Sequence, residues 1–573
     1  MTATGTTRTA PARTTPETYR LSPHARRVFI GLMLGMLVAS ISQTIVGPAM
    51  PRIVAELGGM DHYSWVATAA MLVSAIAVPV VGKLSDLYGR RGFYLAGLVV
   101  FMVGSLVSGF AQNFWVLVLG RAIQGLGMGT LMPLSQTIIG DIIPARQRGK
   151  YQGLMGAVFG VTAVAGPLAG GVITDHWGWR WLFFAAVPIG AVTTFFIARF
   201  LHLPHQRREA KVDTLGIGTL TVALVALLLA TSWGGTTYAW GSATILGLYA
   251  LGVVALVAFV LVERRAVEPV IPLRLFRSSV FTTSNLASFG VAMVMFGSII
   301  YIPVYAQGVL GVDATNSGLI LVPLMLGLIV MGILAGLVIT RTGRYKAIMV
   351  AGVLVMGVGL WLLTRLTWTS GQGELTLAMV VLGVGLGLAM QQYTLVVQNS
   401  VGRADLGVAT ASTQFFRNVG STVGIAVFGT VMTSGLAGAI AAHLPAEVAA
   451  SMPEGAADAG SVLDPAALAS LPPVVADAVR QGLAEQLHGV FLISLPVVAL
   501  VLVATALIRV LPLKETAHAD ESPVEEAGHE VLDAMSLSAA PAGATADVAY
   551  AVRRNSDQVH ADRAHADRVV RAG

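Results

Sequence analysis

Between residues 82 and 91 the chain reads Gly82-Lys83-Leu84-Ser85-Asp86-Leu87-Tyr88-Gly89-Arg90-Arg91, a turn dense in glycine and charge between two long apolar stretches. A second turn, Gly336-Leu337-Val338-Ile339-Thr340-Arg341-Thr342-Gly343-Arg344, repeats glycine, a cap-type side chain, glycine and arginine at offsets 0, 4, 7 and 8. The spacing has a physical meaning. Asp86 or Thr340 can accept hydrogen bonds from free backbone donors at a helix start. Gly89 and Gly343 permit a tight turn, and the arginines can reach carboxylates on neighbouring helix ends. Asp141, which closes a later apolar stretch, is the expected partner of Arg90 or Arg91. Ion pairs of this kind break and reform when two bundles rock, so Asp86, Gly89, Arg90, Arg91, Asp141 and Arg344 form an expected gate.

The apolar stretches around these turns are long enough to be membrane helices. A bilayer core about 30 Å thick needs roughly 20 apolar residues at 1.5 Å rise, and fourteen such stretches lie between residues 28 and 510. Eight spans separate the two turns, so each six-span half carries one after its own second helix. The expected fold is an all-α polytopic membrane protein: a first six-helix bundle over 28–201, two inserted helices over 214–262 and a second bundle over 283–510. Parallel repeats about an axis normal to the membrane build two-bundle transporters. Residues 435–487 are expected as an extracytoplasmic loop, and 515–573 as a disordered cytoplasmic tail.

Composition agrees. Of 573 residues 55% are apolar and only 12% charged, where soluble proteins carry about 25% charge, and mean hydropathy is +0.75. Zero cysteines exclude disulfides and thiolate chemistry. The net charge of +6 is spread over loops and tails, which argues against a nucleic-acid partner. Loops on one side hold eighteen Lys and Arg, from Lys83 to Arg403, and the opposite loops only Arg52, Arg180, Arg365 and Arg480. Cytoplasmic loops accumulate such residues, so both termini are expected in the cytoplasm and the protein in the cell membrane. Residues 1–27 contain no apolar run, and no cleavable signal peptide is expected.

Five further motifs join the loop. These are Arg121-Ala-Ile-Gln124-Gly125, the run from Gly160 through Gly166-Pro167 to Gly170-Gly171, Trp179-Arg180-Trp181, Pro188-Ile189-Gly190, and Gly407 to Gly424 around Arg417. With Gly82–Arg91 they resemble the major facilitator superfamily over about residues 28–510, and within it the fourteen-span drug:proton antiporter branch of the QacA/EmrB kind. The resemblance implies export of amphiphilic drugs or antibiotics by alternating access, with proton coupling and without a cofactor. Independently of family, Pro167 bends its helix and the neighbouring glycines admit a second helix. The runs Gly125-Leu-Gly127-Met-Gly129 and Gly383-Val-Gly385-Leu-Gly387 are read as packing faces, because no strand precedes either.

In the first span the family's usual aspartate is replaced by Ser42, in Ser42-Gln43-Thr44-Ile45-Val46. No acidic residue falls in the middle of any span, so proton coupling either uses Asp61, His62 or Asp175, near the outer ends, or a water-linked terminus, or is absent. The charges deep in the membrane are Arg121 and Arg417, each a site candidate by its cost. Intramembrane amides complete the substrate or coupling candidates: Gln43, Gln124, Gln136, Gln307, Gln391, Gln392, Gln414 and Asn418, beside Ser42. Met293, Met295, Phe296, Tyr301 and Tyr305 offer an adaptable apolar wall. A cationic, carboxylate-free cavity favours neutral or anionic amphiphiles over dications. The expected partners are such a small molecule, protons and membrane lipids, around a functional monomer. Rival readings are a lipid or lipid-precursor transporter and a metabolite uptake carrier. Catalysis is not expected, since no nucleophile–base arrangement, metal cluster or Gly-x-x-x-x-Gly-Lys-Ser/Thr sequence occurs.

Overall fold

The computed structural model describes residues 22–58, 65–201, 212–235, 238–312, 320–444 and 472–514. Among these residues fourteen helices are long and apolar enough to cross a membrane. The first half comprises α1 (Pro23–Thr44), a short α2 (Met50–Leu57), α3 (Trp65–Tyr88), α4 (Arg90–Gly109), α5 (Phe114–Ile142), α6 (Ala145–His176) and one span in two pieces, α7 (Arg180–Phe184) and α8 (Ala186–Phe200). The inserted pair is α9 (Thr214–Trp233) and α10 (Ala243–Glu263). The second half comprises α11 (Ser279–Gly308), α12 (Val322–Thr342), α13 (Tyr345–Thr364), α14 (Gln372–Asn399), α15 (Leu406–His443) and α16 (Pro473–Leu507).

Local chemistry sets the helix ends. Ser22, Asn113, Asp213, Ser242 and Ser278 each accept a backbone N–H of the first turn that follows them, which satisfies donors a helix start otherwise leaves free. Gly89 (φ +99°) turns the chain between α3 and α4, and Gly343 (φ +70°) closes α12 in the left-handed region.

Glycines then set how closely the helices approach. α5 lies against α3 and α4. A Cβ on Gly125 would overlap the Ala70 backbone, one on Gly127 would sit 2.5 Å from Phe101 Cβ, and one on Gly129 2.6 Å from Ser74 O. Gly383, Gly385 and Gly387 place α14 equally close to α12 and α13. Both glycine runs therefore serve helix packing. In the span 5 motif, Gly166 and Gly170 admit α1 at Thr44 and Ile45 and Gly160 admits Ile329 of α12, whereas Gly171 has nothing within 4 Å of a built Cβ. Ser40 and Thr162 hydroxyls meet at 2.5 Å, and Thr44 donates to Thr162 O at 3.0 Å, beside the Pro167 bend.

The expected loop 435–487 is corrected in part. α15 continues to His443 and α16 starts at Pro473, so both helices, about 57 and 52 Å long at 1.5 Å per residue, project past a ~30 Å core. They stay paired there, Gly482 against Ile440 and Gly435 against Gln486. Residues 445–471 and the expected tail 515–573 lie outside the described residues.

Gly125→Leu should disrupt the first half, since the new side chain meets α3 backbone; the cost is on the order of 3 kcal/mol or more. The check is the monodisperse fraction on detergent gel filtration. The neighbouring Leu126→Ala, at an exposed position, should leave it unchanged.

Candidate functional site

Two seams join the halves at the face that carries the basic loops. Along the first, α3 meets α15: Gly82 lies against Ala411 and Gly407, and the Asp86 carboxylate accepts the N–H groups of Gly407 (3.2 Å) and Val408 (2.9 Å). Asp86 thus caps a helix of the other half, where free N–H donors and the helix dipole favour an anion. Arg90 holds it from the side, with Nη2 3.0 Å from Asp86 and Nε 2.7 Å from Asp141 of α5. All three side chains are at most 10% exposed. Arg91 binds elsewhere, donating to Ala198 O at the end of α8 (2.6 Å).

Along the second seam α6 meets α12 backbone to backbone. Gly149 faces Gly336, and a Cβ on Gly153 would lie 2.6 Å from Gly332 O. The second copy of the turn does not repeat the chemistry of the first. Thr340 donates back to Gly336 O (2.9 Å) within its own helix, the N-cap of α6 is Pro144 without a side-chain bond, and Arg344 is exposed with no ion pair among the described residues. The expectation that Thr340 caps a helix and that Arg344 joins the gate is corrected: the second copy carries a hydroxyl where the first carries a carboxylate, and its arginine has no carboxylate to hold among the described residues. Between the seams, Gln398 of α14 donates to Gln136 O of α5 (3.0 Å) and accepts from Gln152 of α6 at 3.4 Å.

Beyond this floor lies a cavity of about 70 Å³ lined by both halves. The first half contributes Met36, Ser40 and Gln43 of α1, Ser74 and Val78 of α3, Met128, Met132 and Gln136 of α5, and Met155 and Phe159 of α6. The second contributes Met295 and Phe296 of α11, Met390 and Gln391 of α14, and Gln414, Arg417 and Asn418 of α15. Six of the lining side chains are methionines, five are amides, and no carboxylate lines it. Among the described residues Arg417 is the only charge there; it is buried and, among them, donates to Met390 O and Thr394 Oγ1, both at 3.4 Å.

The other expected site residues fall outside this cavity. Arg121 is buried with Val66 O, both oxygens of Ser42 and Gln124 Oε1 as acceptors, and Gln124 is held in turn by Ser105. Its helix face turns toward α1 and α3, so Arg121, Ser42 and Gln124 form a tie between helices. Gln392 is fully buried outside the cavity, and Gln307, which does not line it, is the last residue but one of α11. Asp175 pairs with Arg52 at 2.9 Å in an exposed position, while Asp61 and His62 lie outside the described residues. Sequence reasoning missed Met36, Met128, Met132, Met155, Met390, Phe159, Ser40 and Ser74. The signal was helical spacing: Met128, Met132 and Gln136 form one stripe, as do Met36, Ser40 and Gln43.

Two six-helix halves around a cavity, closed at one face by a capped seam and a glycine seam, define a two-bundle membrane transporter. The chain belongs to the Major Facilitator Superfamily, whose family model matches residues 32–425. A Bacillus subtilis relative named Multidrug transporter protein MdtP is 37% identical over 520 residues, covering 87% of this chain and 96% of its own. An uncharacterized MFS-type transporter of Mycobacterium tuberculosis is 41% identical over 497 residues, 86% of this chain and 71% of its own. The solved structure of the human organic anion transporter MFSD10 shares the fold, with TM-score 0.55 and 15% identity over 83% of this chain and 100% of its own. The protein is thus an integral membrane transporter rather than an enzyme.

At the opposite face, Glu56 accepts from Arg180 Nη1 (2.5 Å) and the Trp179 indole N–H (2.7 Å). The Arg180 hydrogen bond, then that of Trp179, holds its carboxyl below the usual value. A lowered folded-state value means the pair's contribution is full above the unfolded value and fades as pH falls through the folded one. The gap in melting temperature between wild type and Glu56→Gln should therefore stay constant from about pH 8 to about pH 5 and close below about pH 4.

Proposed function

We propose that this protein exports amphiphilic drugs or antibiotics from the cytoplasm across the cell membrane by alternating access, driven by protons moving inward, as a monomer with both termini in the cytoplasm. The names of the relatives support the export of drugs, and the bias of Lys and Arg supports the orientation. The observation that carries the reading is the cavity itself. It is shared between the halves and walled by thioethers, rings and amides, which adapt to many shapes. Its one charge, Arg417, is a buried cation with weak neutral acceptors, and burying such a group without a counter-charge is costly. An anionic or neutral amphiphile relieves that cost and a dication adds to it. The free space is well below the roughly 300–1,000 Å³ of pockets that hold drug-sized molecules, so cargo requires the halves to separate.

In this reading Asp86, Gly89, Arg90 and Asp141 gate the cytoplasmic face, with Arg91 anchoring the same loop to α8. The residues facing cargo are Gln43, Gln136, Gln391, Gln414, Arg417 and Asn418. Opening inward breaks the cap of Asp86 on α15. Asp86→Asn should then reduce turnover about tenfold while cargo affinity changes less than threefold; equal turnover in vesicles would remove Asp86 from the gate.

Charge preference is tested in vesicles with an imposed pH gradient and neutral, anionic and cationic dyes. Wild type should move the anionic dye in preference to a divalent quaternary ammonium dye. Arg417→Gln should lower that preference roughly tenfold. The opposite ranking would overturn the electrostatic reading, and transport of a co-purified phospholipid in place of dyes would favour lipid as cargo.

A further inference from the structure

Of the inserted pair, α9 packs on α3 and α15, beside the capped seam, and α10 packs on α9. At its basic-loop end two carboxylates face one glycine. Asp213 caps α9 by accepting the Gly216 N–H through Oδ1 (2.8 Å), and Glu263, the last residue of α10, accepts the N–H groups of Val270 (3.0 Å) and Ile271 (3.4 Å) through Oε1. A Cβ on Gly216 would overlap Asp213 Oδ2 and come within 3.1 Å of Glu263 Oε1. The remaining oxygens, Asp213 Oδ2 and Glu263 Oε2, are buried without a hydrogen-bond partner among the described residues, and Glu263 as a whole is 4% exposed. An ionised carboxylate only accepts, so two such groups cannot satisfy each other. With one proton between them, one carboxyl becomes a donor to the other. Beside them a cleft of about 10 Å³, lined by Lys83, Asp213 and Glu268 among others, is about the size of one water.

The same place is wired to the gate. Lys83, three residues before Asp86 on α3, pairs with Glu268 at 2.6 Å. Six residues beyond Glu268 on the same connecting segment, Arg274 grips both oxygens of Asp405 at 2.7 and 2.8 Å, and Asp405 is the residue immediately before α15. The segment 264–278 is therefore fastened to both halves at the seam that Asp86 caps, and Glu263 stands at its root. The charged groups acting on Glu263 are Asp213 of α9 and Lys83 of α3; Arg264 and Arg265, on its own segment, are exposed.

We propose that Glu263, facing Asp213, is a proton-binding site of this transporter, and that its occupancy is linked to the gate through Lys83, Glu268 and Arg274. The proposal rests on the proton-driven reading above and gives it a buried carboxylate that the middle of the spans lacks. Binding is simple proton transfer: while the halves are open outward, hydronium arriving from the outer side by way of the cleft gives H⁺ to the carboxylate and leaves water, and once they open inward the carboxyl releases that H⁺ to water at the basic-loop face. When the proton leaves, two like charges face one another next to Lys83. The ammonium is then shared between the acid pair and Glu268, and the segment's hold on α3 loosens.

The test uses the full-length protein in vesicles and an anionic dye that wild type moves uphill under a pH gradient. Glu263→Gln should lose gradient-driven accumulation about tenfold or more while dye-for-dye exchange at equal pH persists. Asp213→Asn should shift the pH profile of the driven mode. In infrared titration of the purified protein, a protonated-carboxyl band present in wild type should be absent from Glu263→Gln. Driven transport and the infrared band both unchanged in Glu263→Gln would overturn the proposal, as would a sodium gradient replacing the pH gradient in wild type. Should Glu263→Gln fail to fold, an unchanged pH profile in Asp213→Asn overturns it equally. A wild type that moves dye without any response to a pH gradient would instead sink proton coupling as a whole.

Discussion

A helix start in one half is capped by a carboxylate from the other. Gly407 and Val408 present N–H groups that their own helix cannot satisfy, and Asp86 accepts both across the boundary. Such an anion needs support where little water reaches it, and Arg90 supplies it, braced in turn by Asp141. Removing one member of a buried charged set costs more than the set contributes, because the survivors are left uncompensated. The contact therefore holds as a unit, and no member of it is removed without leaving the others uncompensated. The close approach of Gly82 to Ala411 brings Asp86 within reach, so packing and electrostatics at this point are one feature.

The cavity follows from where seven helices converge. On three of them polar or sulfur-bearing side chains recur at three- and four-residue spacing along the lining face: Met36, Ser40 and Gln43 on α1, Met128, Met132 and Gln136 on α5, and Gln414, Arg417 and Asn418 on α15. Amides at the centre would be costly against lipid, and here they face a polar interior shared between the halves. Thioether walls add apolar surface that changes outline by rotamer shifts alone.

Much of this could be read from residue order. Length and apolarity gave the span count, because a bilayer sets a minimum helix length, and the offsets within Gly82–Arg91 gave the turn, while the choice between Arg90 and Arg91 as the partner of Asp141 needed the structure. The two intramembrane arginines could not be told apart in the same way. Arg121 and Arg417 both sit deep in apolar helices, and what separates them is facing: Arg121 meets backbone carbonyls of α1 and α3, whereas Arg417 shares a stripe with two amides. Facing depends on how helices distant in sequence are arranged, which local spacing does not carry. The length of α15 and α16 was also hidden, since Ala-rich sequence such as 435–443 reads as loop or helix alike until a partner helix lies against it. The second turn misled for a different reason: its glycines match the first, but a hydroxyl at Thr340 can satisfy itself on its own helix and a carboxylate cannot.

That mismatch makes the two joints of the basic-loop face unlike in kind. One is ionic and directional, the other a flush contact of bare backbones, Gly149 on Gly336. Burial shields both from bulk ions, but removing or neutralising one charge undoes the first, whereas the second has no charge to lose. The two halves are thus fastened like a door held by a bolt on one jamb and by a close fit on the other.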